Sequence, residues 1–533
     1  MKKASLITLG ILSGFVFTIL AVAAYFLGEI NAPFLIIATI VFNFIMWAIS
    51  PIITDLMMRF FYKIEFLSQE ELMAQYPEVA SFMTQVCRQN KIKVPKIGII
   101  DDDNPTAFTY GSVPSNARMV FSKGLFTYLN LEEQQAVFAH EIGHIVHYDF
   151  VVMTVASTLV QILYEIYVVL SKTHKTGSGG DGKKAGGSLA YIGLLSYVFY
   201  FLGTYILLYL SRMREYYADE FSAKTTGKPN SLSMALIRIA YGIVAKEDSG
   251  KSKRLMESTR ALGILDIRSA KGLGAIAQSS EDPRELSRIM AFDFFSPWAN
   301  ILELGSTHPL TGKRIERLNE MAQNMSQERS FDIRGTINSF AIDKSRLYNG
   351  FYTGVIIYFL PYIAGLIGLV IGVVYNGGFG LALVSYGIAM ILQAFYRFPG
   401  APAEKTTIRD LMSDIYASPI RGRKVALEGK IIGRGEAGAS LSEDLMFQDN
   451  GGLVYMDYNS SLGFLGNLFF ALSKIKKIIG QAASAEGWFF RGIGQMVTLD
   501  DITVPNEGRI KSYPKLWIIL SSIVIVAFGV LIL

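Results

Sequence analysis

The stretch LEEQQAVFAHEIGHIVHYDF, residues 131–150, holds three of the chain's five histidines, and a run of apolar residues follows it directly. Asn130 stands just before it with Glu133 three residues on, the arrangement of a capping box at a helix start. Leu131, Ala136, Val137 and Ala139 supply a buried face. The spacing predicts a helix on which His140 and His144 lie one turn apart with their rings on the same side. Two imidazole nitrogens so placed can hold one tetrahedral metal ion, with Glu141 beside the remaining coordination position. This H-E-x-x-H pattern suits zinc-dependent peptide hydrolysis. Zinc lowers the pKa of the attacking water to about 7 and polarises the carbonyl, and the glutamate takes the proton and passes it to the leaving amine. The competing reading, a polar helix face with histidines by accident, has little room in a chain with so few histidines. The metzincin variant would need Gly at position 147 and His at position 150; the chain has His147 and Phe150, so that variant is excluded and His147 is read as a bystander.

Composition sets this helix at a membrane. With 533 residues, 51% hydrophobic and 18% charged, the chain is too apolar for an ordinary soluble protein of several domains. Seven apolar runs are long enough to cross a bilayer as helices: 6–27, 33–53, 151–170, 189–210, 351–375, 379–395 and 516–533. The first, after Lys2 and Lys3, resembles a signal peptide, but it exceeds twenty apolar residues without a small-residue cleavage site, so a retained anchor is expected. Lys2 and Lys3 before the first run, and Arg59 and Lys63 after the second, place the amino terminus and residues 54–150 in the cytoplasm. The loop carrying Lys172, Lys175, Lys183 and Lys184 disagrees with simple alternation, which leaves open whether the third and fourth runs cross fully. A single cysteine, Cys87, rules out an internal disulfide. The net charge of +5 comes from juxtamembrane lysines and arginines, and no basic face asks for nucleic acid.

A catalytic zinc takes a third protein ligand, and few acids after His144 qualify. Asp149 is too near along the same predicted helix, Glu165 sits within an apolar run, and Asp181 lies in a Gly-rich loop. The stretch SRMREYYADEFSA, residues 211–223, places Glu215 and Asp219 four apart on one helix face. There the first can bind the metal and the second can accept a hydrogen bond from a ligating histidine. On spacing alone, two ordinary solvated acids fit equally well.

Before the motif, residues 69–90 have helical periodicity, and KIGIIDD at 96–102 and ARMVFS at 117–122 read as strands. HEIGH, an apolar hairpin, SRMREYYADEFSA and STHPLTGKRIERL at 306–318 together resemble the HtpX-type integral-membrane zinc endopeptidases, relatives of the CAAX prenyl proteases. Two leading spans and NPTAFTYG at 104–111 match the same order of parts. The resemblance implies one zinc ion held by His140, His144 and Glu215, with Glu141 as base, Asp219 supporting a ligand and the site facing the cytoplasm. It also implies that Ala107, Phe108, Thr109 and Tyr110 form an edge strand on which an extended substrate pairs. His308 corresponds to the family's His-Pro, as an oxyanion stabiliser or as a helix-start residue. Where such proteins usually read Asn-Ala-Phe-Ala, this chain has Thr106, Ala107, Phe108 and Thr109, and its tail after residue 349 is an addition.

The expected protein is thus an α-helical membrane protein with a mainly helical gluzincin-type zinc peptidase domain containing a small sheet. Two membrane helices occupy 1–53, the peptidase domain 54–348 with its hairpin at 151–210, and two further spans 349–397. A β-rich segment follows at 398–512 and a last span at 513–533. The β-rich segment carries four or five strands, with Asn450 and Gly451 as a hairpin turn, and suggests a small barrel of OB type. Its Trp488, Phe489 and Phe490 read as core rather than as a stacking platform for bases. Residues 462–479 read as an amphipathic segment lying against the membrane or a partner. The function expected is endopeptidase cleavage of membrane or misfolded proteins at the inner (cell) membrane. A catalytically idle zinc-containing scaffold is the alternative, disfavoured by the intact Glu141, and a channel built on Glu165 has poorer support.

Overall fold

The computed structural model describes residues 11–16, 18–19, 32–176, 183–245, 282–338, 342–375, 378–435, 442–492 and 495–533. Six helices in it are long and apolar enough to cross a membrane. Three lie before residue 230: α1 (Ala32–Tyr62), and, after α2 (Pro77–Gln89) and α3 (Leu131–Val146), the pair α4 (Asp149–Thr176) and α5 (Lys183–Thr226). Of the expected first span only 11–16 and 18–19 are described; they are helical, and Leu12, Val16 and Ile19 are buried against α4 and α5. Residues 177–182, with Asp181 and the middle of the Gly-rich loop, lie outside the described residues.

Two helices outrun their apolar stretches. α5 is one rod of 44 residues that carries 211–223 on the same axis as the membrane run. No Gly or Pro interrupts it after Gly203, and it ends where Gly227 adopts φ +66° and its N–H bonds back to the Ala223 carbonyl. α1 likewise runs on to Tyr62, stopped at Lys63 with φ +52°. Hydropathy marks where the bilayer ends, and helix propensity marks where the helix ends.

The motif helix α3 starts as its sequence predicts. Glu133 N–H donates to Asn130 Oδ1 and Asn130 N–H donates to Glu133 Oε2, both at 3.0 Å. Ala136, Val137 and Ala139 are fully buried, while Leu131, in the first turn, is 36% exposed. The helix does not run on into the membrane. It stops at Val146, the chain turns at Tyr148 with φ +60°, and α4 begins at Asp149. α3 crosses α5 closely at Gly143, where an added Cβ would stand 3.2 Å from the Ala218 Cα and 3.2 Å from the Phe221 Cβ. α6 (Pro229–Ala245) covers the same helix through Leu232, Ala235, Leu236 and Ile239.

A four-stranded sheet lies beside this helical core in the order β1 (Glu65–Leu67), β2 (Lys96–Ile100), β4 (Arg118–Ser122), β3 (Ala107–Tyr110). β2 and β4 are parallel, and β3 pairs antiparallel with β4, with Thr109 opposite Met119. β3 is therefore the sheet's edge. Asp55 near the end of α1 accepts a hydrogen bond from the Tyr110 hydroxyl at 2.7 Å and pairs with Arg118 at 3.1 Å, tying that edge to a membrane helix.

After α7 (Pro283–Phe295) and α8 (Thr311–Asn324) come the membrane helices α9 (Lys344–Val374) and α10 (Gly378–Arg397), which pack on each other, with α10 also packed on α12 (Pro514–Leu531). Glycines mediate these crossings: a Cβ on Gly368 would strike Ser385, and one on Gly380 would strike the Gly529 carbonyl. Between α10 and α12 the chain forms the second sheet. Its strands are β5 (Glu404–Lys405), β6 (Arg423–Arg434), β7 (Leu445–Asp449), β8 (Gly452–Asp457), β9 (Ala482–Arg491), β10 (Gln495–Val504) and β11 (Gly508–Lys511). Asn450 and Gly451 form the two-residue turn joining β7 to β8. Trp488, Phe489 and Phe490 are at most 3% exposed, so all three rings are core. Between β8 and β9 lies α11 (Gly463–Phe469), continued by helical turns to Ile478; Phe470, Ile475 and Ile478 face the sheet's core, while Phe464 and Leu465 are exposed.

Replacing Gly143 by Val should force α3 from α5. Overpacking of this kind costs roughly 1–3 kcal/mol, so the expected result is a lowered melting midpoint in detergent with loss of any bound metal, measured by thermal unfolding and metal analysis. A variant as stable and as zinc-rich as the parent would contradict the crossing.

Candidate metal centre

The crossing of α3 with α5 brings His140 and His144 against Glu215. The two Nε2 atoms are 3.2 Å apart, His140 Nε2 lies 3.5 Å from Glu215 Oε2, and His144 Nε2 lies 3.6 Å from Glu215 Oε1. Four ligands at 2.0–2.1 Å in a tetrahedron are separated by roughly 3.3–3.4 Å. Three buried donors with these edges fit a zinc ion. Two nitrogens and a carboxylate oxygen are also the donor set of a catalytic zinc site.

Each histidine is oriented from behind. His140 Nδ1 lies 2.9 Å from Asp219 Oδ1, and the fully buried Arg314 grips that carboxylate with two hydrogen bonds, Nε to Oδ2 at 2.9 Å and Nη2 to Oδ1 at 2.7 Å. His144 Nδ1 lies 2.6 Å from Asp149 Oδ2, which pairs with Arg214 Nε at 3.1 Å. The two relays have the same composition, histidine to aspartate to arginine. Each fixes Nδ1 toward its aspartate and so turns Nε2 toward Glu215. The turn at Tyr148 is what delivers Asp149. Excluded as a ligand on the assumption of one continuous helix, it lies on a new helix and contacts a histidine instead. The sequence did not assign these roles to Asp149, Arg214 and Arg314; the signals present were the basic residue beside Glu215 in SRMREYYADE and the first Arg within TGKRIERL.

Electrostatics follow from this burial. Burial alone would raise the Glu215 carboxyl, but the neighbouring His308 and His144 and the hydrogen bond with His140 hold it well below the usual range. Burial alone would lower the His140 imidazole, yet its hydrogen bonds with Asp219 and Glu215 outweigh that and push it up to about 9. Glu141 moves the other way: burial raises it, with only partial relief from His144, His140 and the Thr109 hydroxyl. That hydroxyl donates to Glu141 Oε2 at 2.5 Å, so the edge strand β3 touches the glutamate of the motif directly.

The remaining residues singled out in the sequence divide. Ala107, Phe108, Thr109 and Tyr110 all lie in β3 with buried side chains. His308 is buried with Nε2 3.8 Å from Glu215 Oε1, and the loop that carries it is fixed by Arg212, whose Nη1 donates to the Glu303 and Ser306 carbonyls at 2.8 Å. His147 stays outside the cluster, edge-on to Tyr217 and Phe221. Glu165 is half-buried in α4 and accepts a hydrogen bond from Gln161, one turn away.

Comparison with known proteins places this arrangement. The sequence profile of Peptidase family M48 matches residues 73–322. The chain is 31% identical over 231 residues to the protease HtpX homolog of Methanothermobacter thermautotrophicus, covering 43% of this chain and 81% of that protein. It is 30% identical over 316 residues to the protease HtpX homolog of Pyrococcus abyssi, covering 59% of this chain and 96% of the relative. Among solved structures, the crystal structure of S. mikatae Ste24p aligns with a TM-score of 0.34 at 19% identity, over 58% of this chain and 62% of that one. The second sheet, residues 404–511, lies beyond the matched profile. With its motif helix, its donor cluster and these relatives, the chain belongs to peptidase family M48 as an HtpX-like multi-pass membrane metalloprotease.

Proposed function

We propose that the protein is a zinc endopeptidase that cleaves polypeptides, chiefly membrane or misfolded ones, at the cytoplasmic face of the cell (inner) membrane. The observation that carries this reading is the triangle of His140, His144 and Glu215 with Glu141 beside it. In this account the three residues hold one zinc, which when bound acidifies the attacking water and polarises the scissile carbonyl. Glu141 takes the proton from that water on its carboxylate and hands it to the leaving amide nitrogen. Burial raises this carboxyl's affinity for a proton, which favours its taking one. The Thr109 hydroxyl holds the carboxylate in place. An extended substrate pairs along β3, and the contact between Thr109 and Glu141 sets its scissile bond beside the base. His308 is the donor toward the developing oxyanion.

The membrane setting supports the choice of substrates. Glu215 lies five residues past Leu210, where the apolar run stops, which is roughly 8 Å of helix rise. A site so close to the bilayer suits chains that emerge from it. The lysines and arginines flanking the first two runs support the cytoplasmic orientation. For residues 404–511 the pairings β6–β7–β8–β10–β9–β6 run in a closed circuit with β8 and β10 parallel, which supports an OB-type barrel that presents substrate to the peptidase or regulates it.

Glu141→Gln, purified in detergent, should keep its zinc and lose about 10²–10⁴ in kcat on casein. Full activity in this variant would exclude the assignment of Glu141. In Asp219→Asn and Asp149→Asn, zinc affinity measured against a chelator should fall about 10- to 100-fold while the fold persists. Unchanged affinity would show that the relays have no part in holding the metal.

A further inference from the structure

α9 begins, α10 ends and α12 begins at one common end of the membrane bundle, and the second sheet attaches there. Between the sheet and the start of α9 lies a cavity of about 630 Å³. Its polar lining holds four cations, Arg346, Arg421, Arg423 and Lys424, against two carboxylates, Glu404 and Asp414. Arg423 satisfies both carboxylates, at 2.8 Å each, and Lys424 pairs with Asp500. That leaves Arg346 and Arg421, for which the described residues hold no carboxylate within ion-pairing distance. Each lies instead over an aromatic ring of the cavity wall, Arg346 above Tyr416 at 4.5 Å and Arg421 above Tyr396 at 5.2 Å. The lining also holds the apolar side chains of Trp298, Leu347 and Phe351. The cavity thus offers two unneutralised guanidinium groups together with apolar side chains.

Its level relative to the bilayer is set independently. Leu462, Phe464, Leu465 and Phe469 are 66–78% exposed on the sheet domain, and this patch abuts the first turn of α12, where Trp517 Nε1 donates to the Ser460 carbonyl at 3.0 Å. An indole at the start of a membrane helix beside an exposed apolar patch marks the lipid interface. Arg346, three residues into α9, and Tyr396, at the end of α10, lie at the same end of the bundle.

We propose that this cavity binds the phosphate headgroup of an anionic membrane lipid, with Arg346 and Arg421 on the phosphate and the glycerol and upper acyl chain along Phe351 and Trp298. Basic pockets between membrane helices at the bilayer surface are suited to such headgroups, and guanidinium forks match phosphate geometry. The site fixes the second sheet to lipid at the junction that joins it to the peptidase part of the chain.

The test uses the full chain in mild detergent, with native mass spectrometry after adding phosphatidylglycerol or phosphatidylcholine. The parent should bind one phosphatidylglycerol with a preference of about tenfold or more over phosphatidylcholine. Arg346→Gln combined with Arg421→Gln should lose that preference while keeping its zinc content. If the pair unfolds, Arg421→Gln alone, at an exposed side chain, should at least halve the preference. Equal binding of the two lipids by the parent, or an undiminished preference in the variants, would overturn the proposal. Displacement of the lipid by millimolar inorganic phosphate would assign the cavity to a soluble phosphate instead.

Discussion

One helix crossing governs the rest. α3 passes α5 at Gly143 with backbone nearly touching backbone, and that closeness lets two imidazoles from one helix and a carboxylate from the other meet within 3.2–3.6 Å. A Cβ at 143 would stand closer to Ala218 and Phe221 than ordinary contact allows, so the two helices would have to give way there. Because α5 is an unbroken rod of 44 residues, the same crossing also fixes the depth of the site, since the residue that completes the cluster rides on a membrane helix. Packing, donor geometry and membrane position therefore share one cause.

A cluster this buried faces an electrostatic difficulty. Taking an ion out of water costs several kcal/mol after relaxation, and here His140, Glu141, Glu215, Asp219, Asp149 and Arg314 are all buried. The arrangement offsets that cost by alternating signs along two chains, imidazole to carboxylate to guanidinium, with both hydrogen bonds of the Arg314 fork used on Asp219. Among the described residues Glu141 has no guanidinium paired with it and accepts a hydrogen bond from the Thr109 hydroxyl, and it is the carboxyl of the cluster whose net shift is upward. The acids that orient ligands are held ionised, and the acid adjacent to them is left with a raised affinity for a proton. That division of labour is what separates the proposed base from the proposed ligands.

The motif helix and its capping box were legible because both depend on residues three or four apart. The spacing of Glu215 and Asp219 was visible for the same reason, but spacing alone left two ordinary solvated acids equally fitting, and only the family resemblance assigned them roles. Asp149 was not, because its role depends on a single left-handed residue, Tyr148, that no local pattern announces. Arg314 was hidden by distance, since 95 residues separate it from the aspartate it grips. Hydropathy marked the apolar runs 33–53 and 189–210, and α1 and α5 continue past them to Tyr62 and Thr226. In the second sheet the Asn450–Gly451 turn and the longer strands were visible from alternation, whereas the two-residue β5 and the short β11 carry too few residues to show a period.

In the proposed centre two imidazoles and one carboxylate, brought together by a membrane helix crossing, hold the zinc. X-ray absorption at the zinc edge on the purified full-length protein addresses it directly. The account predicts nitrogen and oxygen neighbours at about 2.0–2.1 Å, the outer scattering of two imidazole rings and no sulfur. A sulfur neighbour near 2.3 Å, or a first shell without imidazole scattering, would contradict it.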